Sequence, residues 1–219
     1  MRREIVVLLG ALGVAGCATT EMPLNMEAIR DMGDRNVHIV KEEPPSFGAI
    51  TAGKGMFAAL GAVAAHSAGK DLVQEKGIED PSRRVEMLIV EHLHAKFGTK
   101  TAGQVLDYTE TDKPSDADEW AAAADANSVI IDVETKGWNF WYFPTTWSRY
   151  RVGYSAVLKL IDGHTGQVLS QYQCNVSGPE SADAAPTYDE MLADRAALLK
   201  RMLNDRADRC ASDIIAKVL

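Results

Sequence analysis

The chain has 219 residues, 46% of them hydrophobic and 25% charged, and carries a formal charge of −8 at neutral pH. That balance describes a folded chain with a proper core, and excludes a disordered or fibrous one. An acidic chain with no basic stripe to meet phosphates is also excluded as a nucleic-acid binder.

At the N-terminus, Arg2 and Arg3 precede an apolar run from Ile5 to Gly16 that stops at Cys17. About twelve apolar residues cannot cross a bilayer, which takes roughly twenty in a helix. The run therefore reads as a secretory signal covering residues 1–16. Its end, Val14-Ala15-Gly16-Cys17, resembles the lipobox of bacterial lipoproteins. The resemblance implies that Cys17 is lipidated and becomes the new N-terminus, which makes the membrane a partner through the acyl chains. Ala18, standing where that family often has an aspartate for inner-membrane retention, implies the periplasmic face of the outer membrane. Removal of residues 1–16 leaves 203 residues and takes away Arg2, Arg3 and Glu4, giving a charge of −9.

Residues 17–35 read as the lipidated N-terminus and a tether, and residues 36–219 as a single α/β domain. A flexible coil of about 18 residues would span roughly 23 Å on average and at most about 60 Å. The first strand is expected at NVHIVKEE, ended by Pro44 and Pro45. The Ala/Gly-rich segment from Ala52 to Gly77 predicts a helix whose small residues let it approach a sheet closely, a membrane-hugging helix being the other reading. A clearer helix follows from Asp80 to Gly98, with Asp80 as cap, Pro81 in the first turn, apolar residues from Val85 to Phe97 at helical spacing, and Gly98 at the exit. A weak strand near Gly103 to Thr109, a polar loop and an alanine-rich turn to Asp125 come next. SVIIDVETKGW then reads as a central β-branched strand. Tyr150 to Leu160 alternate in the first arm of a hairpin that turns at Asp162-Gly163-His164-Thr165-Gly166. Last comes a long amphipathic helix with a stripe at Tyr188, Leu192, Leu199, Leu203, Cys210, Ile214 and Val218. The fold class is thus α/β (α+β): a small mixed sheet containing an antiparallel hairpin, helices packed on it, and a long C-terminal amphipathic helix.

With Cys17 lipidated, Cys174 and Cys210 remain as an even pair in a compartment that permits disulfides. They are expected to be joined, since Cys174 shares a strand face with Tyr172 and Val176 while Cys210 lies on the helix stripe. Two buried free thiols are the alternative.

The order of an Ala-Asp element, a β-branched strand, an aromatic segment and a strand ending Leu160-Ile161-Asp162-Gly163-His164-Thr165-Gly166-Gln167-Val168-Leu169 resembles a group of bacterial envelope lipoproteins. The group includes the curli-secretion lipoprotein CsgG, LpoB-type activators of penicillin-binding proteins and uncharacterised families. The likeness covers about residues 36–176 and implies helices packed on a small mixed sheet. A curli-like channel would need added membrane-spanning hairpins, and an activator a long tether; the sequence shows neither pattern.

The stretch GWNFWYFPTTWSRY, residues 137–150, holds three of the four tryptophans and seven of the fifteen aromatic residues. Strand alternation sets Trp138, Phe140 and Tyr142 on one side and Trp141 and Phe143 on the other, with Pro144 interrupting pairing and Trp147 beyond it. One side can enter the core, so the other is expected to show. A loop packed on the sheet is the plain reading. A partner-binding patch and a loop at the lipid interface are the functional ones, and stacking on a sugar ring stands behind them because no polar groups are visibly organised around the stretch. His92 and His94, two apart on a helix, point about 200° from each other and cannot share a metal. No nucleophile elbow, phosphate loop or C-x-x-C motif occurs, and no metal or cofactor is expected. These readings converge on a non-catalytic, lipid-anchored accessory or scaffold of an envelope assembly, with an envelope protein as partner and an oligomer open. The alternatives are a periplasmic hydrolase without a recognisable motif and a self-assembling secretion-pore component.

Overall fold

The structure, a computed structural model, describes residues 21–30, 32–52, 58–100, 104–107 and 117–219. The signal segment and Cys17 lie outside them. Six strands form one mixed sheet: β1 (Asn36–Lys41), β2 (Gly48–Ile50), β3 (Val105–Asp107), β4 (Ser128–Phe143), β5 (Thr146–Asp162) and β6 (Val168–Gly178). Their order is β3-β1-β4-β5-β6. β4, β5 and β6 run antiparallel, whereas β1 and β2 each pair parallel to β4, β1 along residues 128–131 and β2 along residues 139–141. The helices are α1 (Met26–Arg30), α2 (Ala58–Lys76), α3 (Ser82–Phe97), α4 (Ala117–Ala123) and α5 (Tyr188–Val218). This is the α+β class expected.

The two ends of β4 are covered differently, and the residues explain why. Val129, Ile131 and Val133 face a core shared with Val85, Ile89 and Leu93 of α3 and with Leu199, Leu203 and Ile214 of α5. Ile130 points the other way, into a smaller cluster with Val40, Leu106, Ile161 and Trp120 of α4. A strand end buried on both faces needs a continuous apolar run, which SVII supplies. Beyond a bulge between Thr135 and Gly137 the alternation resumes as Trp138, Phe140 and Tyr142 on the α3/α5 side. α4 does not reach this far.

The turn between β5 and β6 locks the opposite corner. The Asp162 carboxylate accepts hydrogen bonds from the backbone N–H groups of His164 and Thr165, both at 2.9 Å, and pairs with Arg35 at 2.6 Å. Burial pushes the Asp162 carboxyl up, but these donors outweigh it and hold it below the usual carboxylate range. A Cβ at Gly163 would stand 2.0 Å from Ser128 Oγ, so only glycine lets the turn close against the start of β4. The DGHTG segment therefore serves the fold.

The predicted close approach of an Ala/Gly-rich helix is present in α2, where a Cβ at Gly69 would stand 1.7 Å from the Phe47 carbonyl oxygen, just before β2. Among the described residues no helix is long and apolar enough to cross a membrane.

Several expectations are revised. The tether expected over residues 18–35 is docked from Met22 onward: Met22 exchanges two backbone hydrogen bonds with Gln171 on β6, and Leu24 N–H donates to the Val218 carbonyl. Short polar pairing of this kind leaves no apolar periodicity to read. Asp80 accepts hydrogen bonds from the backbone N–H and hydroxyl of Ser82, as a cap does, but is shared with the sheet. α3 starts at Ser82 with Pro81 before it, and the Asp80 carboxylate accepts from Thr135 Oγ1 at 2.8 Å. The C-terminal helix is interrupted, because Asp194, Arg195 and Ala196 take positive φ values of 48°, 56° and 61°. No glycine or proline marks that break. The turn before it is held by a capping box in which Thr187 and Glu190 satisfy each other's backbone N–H.

Cys174 on β6 and Cys210 on α5 are joined, with their Cα atoms 5.4 Å apart at a sequence separation of 36. Closing a loop of that length stabilises the fold by about 4 kcal/mol on the chain-entropy model. Reductant is expected to lower the urea midpoint accordingly, and native mass spectrometry to find no alkylatable thiol at either position before reduction.

A buried acid lies beneath the bulge. Glu86 on α3 is 4% exposed, and burial raises its pKa from 4.5 to about 7 despite Arg83 beside it at 3.3 Å. Its folded pKa lies above the unfolded value, so the fold favours the protonated acid. The stability it contributes is whole below about pH 4.5 and declines as pH rises toward about 7. Glu86→Gln is expected to flatten that decline and to gain up to roughly 3 kcal/mol over wild type at about pH 8, read from urea midpoints across the range.

Candidate functional site

The aromatic stretch is a hairpin rather than a loop. β4 runs through Phe143, Pro144 and Thr145 make the turn, and β5 begins at Thr146. Aromatic residues favour strands, and proline is confined to the one place where its missing N–H does not break the ladder.

On the covered face the rings build core. Trp138 packs edge-on against Phe47 at 5.0 Å and donates its indole N–H to the Pro45 carbonyl at 2.6 Å, which fixes the β1–β2 connection to β4. Phe140 sits among Phe47, Tyr150 and Tyr188 at centroid distances of 5.7, 5.7 and 5.9 Å, each edge-to-face. Tyr142 is half-buried at the rim. The predicted contact residues Trp138 and Phe140 are thus structural.

At the hairpin tip Trp147 is 59% exposed, the largest exposure among the chain's described large apolar side chains. Its indole N–H donates to the Pro144 carbonyl at 2.9 Å, so the ring is held in place although it lies in the open. Beside it a cleft of about 190 Å³ is lined by Ala52, Tyr142, Pro144 and Trp147.

On the other face of the sheet Trp141 is half-buried, and Phe143, expected to show, is only 4% exposed; Arg151 lies between them, its guanidinium carbon 4.1 Å from the Phe143 ring centroid and 5.7 Å from that of Trp141. A second, larger groove of about 320 Å³ lies next to Trp141, with Asn139, Gly153, Ser155 and Asn175 around it. The sequence reading missed these four residues. Gly153, a glycine inside a β-branched and aromatic strand, was the available signal, since such a glycine marks a close approach over the backbone.

A group of ionisable side chains with raised pKa values gathers between α3 and the sheet. Burial pushes up Asp80, Glu86 and Tyr154, which gather with Thr135 between α3 and β4. Glu86 lines neither described groove, whereas Tyr154, 1% exposed, borders the groove beside Trp141. Among the described residues no group of three or more His, Cys, Asp or Glu side chains is placed to hold a metal. His94 Nδ1 lies 2.5 Å from the Thr99 carbonyl and His92 packs edge-on against Phe97, so the two histidines serve separate contacts.

No protein-family description and no curated protein matches the sequence. Solved structures do resemble the chain. The PelC dodecamer from Paraburkholderia phytofirmans is 10% identical with a TM-score of 0.36, covering 92% of this chain and 97% of that one. The hypothetical protein CT253 from Chlamydia trachomatis is 9% identical with a TM-score of 0.35, covering 83% and 94%. Lipoprotein GNA1162 from Neisseria meningitidis is 13% identical with a TM-score of 0.25, covering 81% and 99%.

Trp147→Ala is expected to change unfolding free energy by less than about 0.5 kcal/mol, as for an exposed side chain. Phe140→Ala, which empties the centre of the aromatic core, is expected to cost about 3–5 kcal/mol. Urea unfolding of the two variants checks both; similar losses would mean that the faces are misassigned.

Proposed function

We propose that this chain is a lipid-anchored, non-catalytic envelope protein that docks another envelope protein through the tip of its β4–β5 hairpin. Cys17 holds it on the periplasmic face of the outer membrane. The observation that carries the reading is the exposed Trp147 with its one polar atom already bonded inside the chain. A fixed, amphipathic ring beside a cleft loses little side-chain freedom on binding, and such residues dominate interface energetics.

The position of the tip supports the same reading. The described chain joins the sheet where Met22 pairs with Gln171, and Gln171 in turn pairs with Lys159. Lys159 stands thirteen residues along β5 from Thr146, a separation of about 40 Å at roughly 3.3 Å per residue. Met22 is five positions beyond Cys17, which limits that link to about 17 Å. The anchor thus enters at one end of the sheet while the aromatic tip projects from the other, the arrangement that suits contact with a protein beyond the lipid surface.

A photo-crosslinker at position 147 tests this in intact cells, with position 164 at the opposite end as control. A discrete protein adduct from 147 and none from 164, in protein that incorporates labelled palmitate, is the expected result. Adducts to lipid alone from 147 would favour an interfacial loop, a ring-sized species in detergent a pore component, and absence of palmitate would remove the anchor.

A further inference from the structure

The open face beside Trp141 is organised in three rows that cross the sheet. Gly48, Asn139 and Gly153 pair across β2, β4 and β5; Ile50, Trp141 and Arg151 form the row toward the tip; Gly137, Ser155 and Asn175 form the row on the other side. The middle row carries one side chain between two glycines, so it is a trough with a backbone floor. Both glycines are required. A Cβ at 48 would stand 2.8 Å from Asn139 Cβ, and one at 153 would stand 2.6 Å from Trp141 Cζ3. The six-membered ring of Trp141 therefore leans from its own row into the trough, over Gly153.

Around that ring the groove of about 320 Å³ presents an amide from Asn139, a hydroxyl from Ser155 and an amide from Asn175, with Ile50 as the apolar flank. None of these side chains is charged. Asn139 Oδ1 is buried and meets no hydrogen-bond donor among the described residues. Buried polar atoms of a native fold normally have partners, and an acceptor left over in the lining of a groove points to a ligand that supplies the donor.

We propose that this groove binds one ring of a neutral glycan, its C–H face against Trp141 and its hydroxyls on Asn139, Ser155 and Asn175. The chemistry selects that class. An indole face is electron-rich and attracts the electropositive C–H edge of a saturated ring, while neutral amides and hydroxyls can both donate and accept, as a polyhydroxylated ligand requires. A phosphate or a carboxylate would find no cation in the lining, and a hydrophobic ligand would leave the three polar side chains unpaired. The volume lies at the small end of the range for ligand sites, about 300 Å³ and upward, which fits a ring unit of a chain that continues beyond the groove. Glycine at 153 lets the Trp141 ring lie low over the sheet, which sets its face toward the groove's polar side chains.

The test uses the full lipidated chain in a detergent without a sugar headgroup. It is titrated with neutral tetrasaccharides of glucose and of N-acetylglucosamine, and with an acidic tetragalacturonate, followed by calorimetry and tryptophan fluorescence. At least one neutral tetrasaccharide is expected to bind with a Kd below about 1 mM and to shift the emission, the acidic one more weakly. Asn175→Lys, a change at an exposed position that puts bulk and charge at the groove edge, is expected to weaken binding at least about tenfold, or about 1.4 kcal/mol. Trp141→Ala is expected to abolish it and Trp147→Ala to leave it unchanged. No binding of any neutral tetrasaccharide at about 10 mM, preference for the acidic one, unaltered binding in Asn175→Lys, or loss of binding in Trp147→Ala would each overturn the proposal. Crosslinking at 147 is read separately, so this result and that one fail independently.

Discussion

The pairing of β4 with β5 is the constraint from which the rest of the structure follows. These are the two longest strands, 16 and 17 residues, and the helices cannot cover all of both faces. One end is enclosed between α3 and α5 on one side and α4 on the other, which is why Val129, Ile130, Ile131 and Val133 are all fully buried. Past the bulge at Thr135/Gly137 only one face is covered, and there the same alternation sends Trp138 and Phe140 into the core and leaves Trp141 outside. An aromatic cluster that looks uniform in sequence is thus divided by the pleat into a structural set and an available set.

Where the sequence carried a period, it was legible. The central β-branched strand, the α3 helix with its Gly98 exit in the left-handed region, the glycine-rich turn after β5 and the pairing of Cys174 with Cys210 all follow from alternation, spacing or a residue with one conformational specialty. Legibility ended where the determinants are tertiary. Nothing local announces that Met22 will pair with Gln171, or that Asp194 to Ala196 will take left-handed values inside a helical pattern. The open-face groove is of this kind: Asn139, Gly153, Ser155 and Asn175 lie on three strands, and only register assembles them. Gly153 alone carried a readable sign.

The docking of Met22 and Leu24 changes what an anchor at Cys17 would do. A free tether of about 18 residues would let the domain wander tens of ångströms from the lipid, whereas the shorter link ties one end of the sheet close to it. The disulfide fixes α5 to β6, and α5 in turn receives Leu24 at Val218. Anchor entry, disulfide and C-terminal helix therefore form one rigid corner, and the hairpin tip is the part of the domain farthest along the strands from it. The corner where Met22 and Leu24 dock and the aromatic tip thus lie at opposite ends of the two long strands.

Hydroxyl-radical footprinting of the native protein, resolved residue by residue in the peptide Gly137–Arg149, tests the division of the aromatic hairpin most directly. The account predicts fast oxidation of Trp147, an intermediate rate at Trp141, and protection of Trp138 and Phe140. Comparable oxidation of Trp138 and Trp147, or protection of Trp147 in the purified monomer, would contradict it.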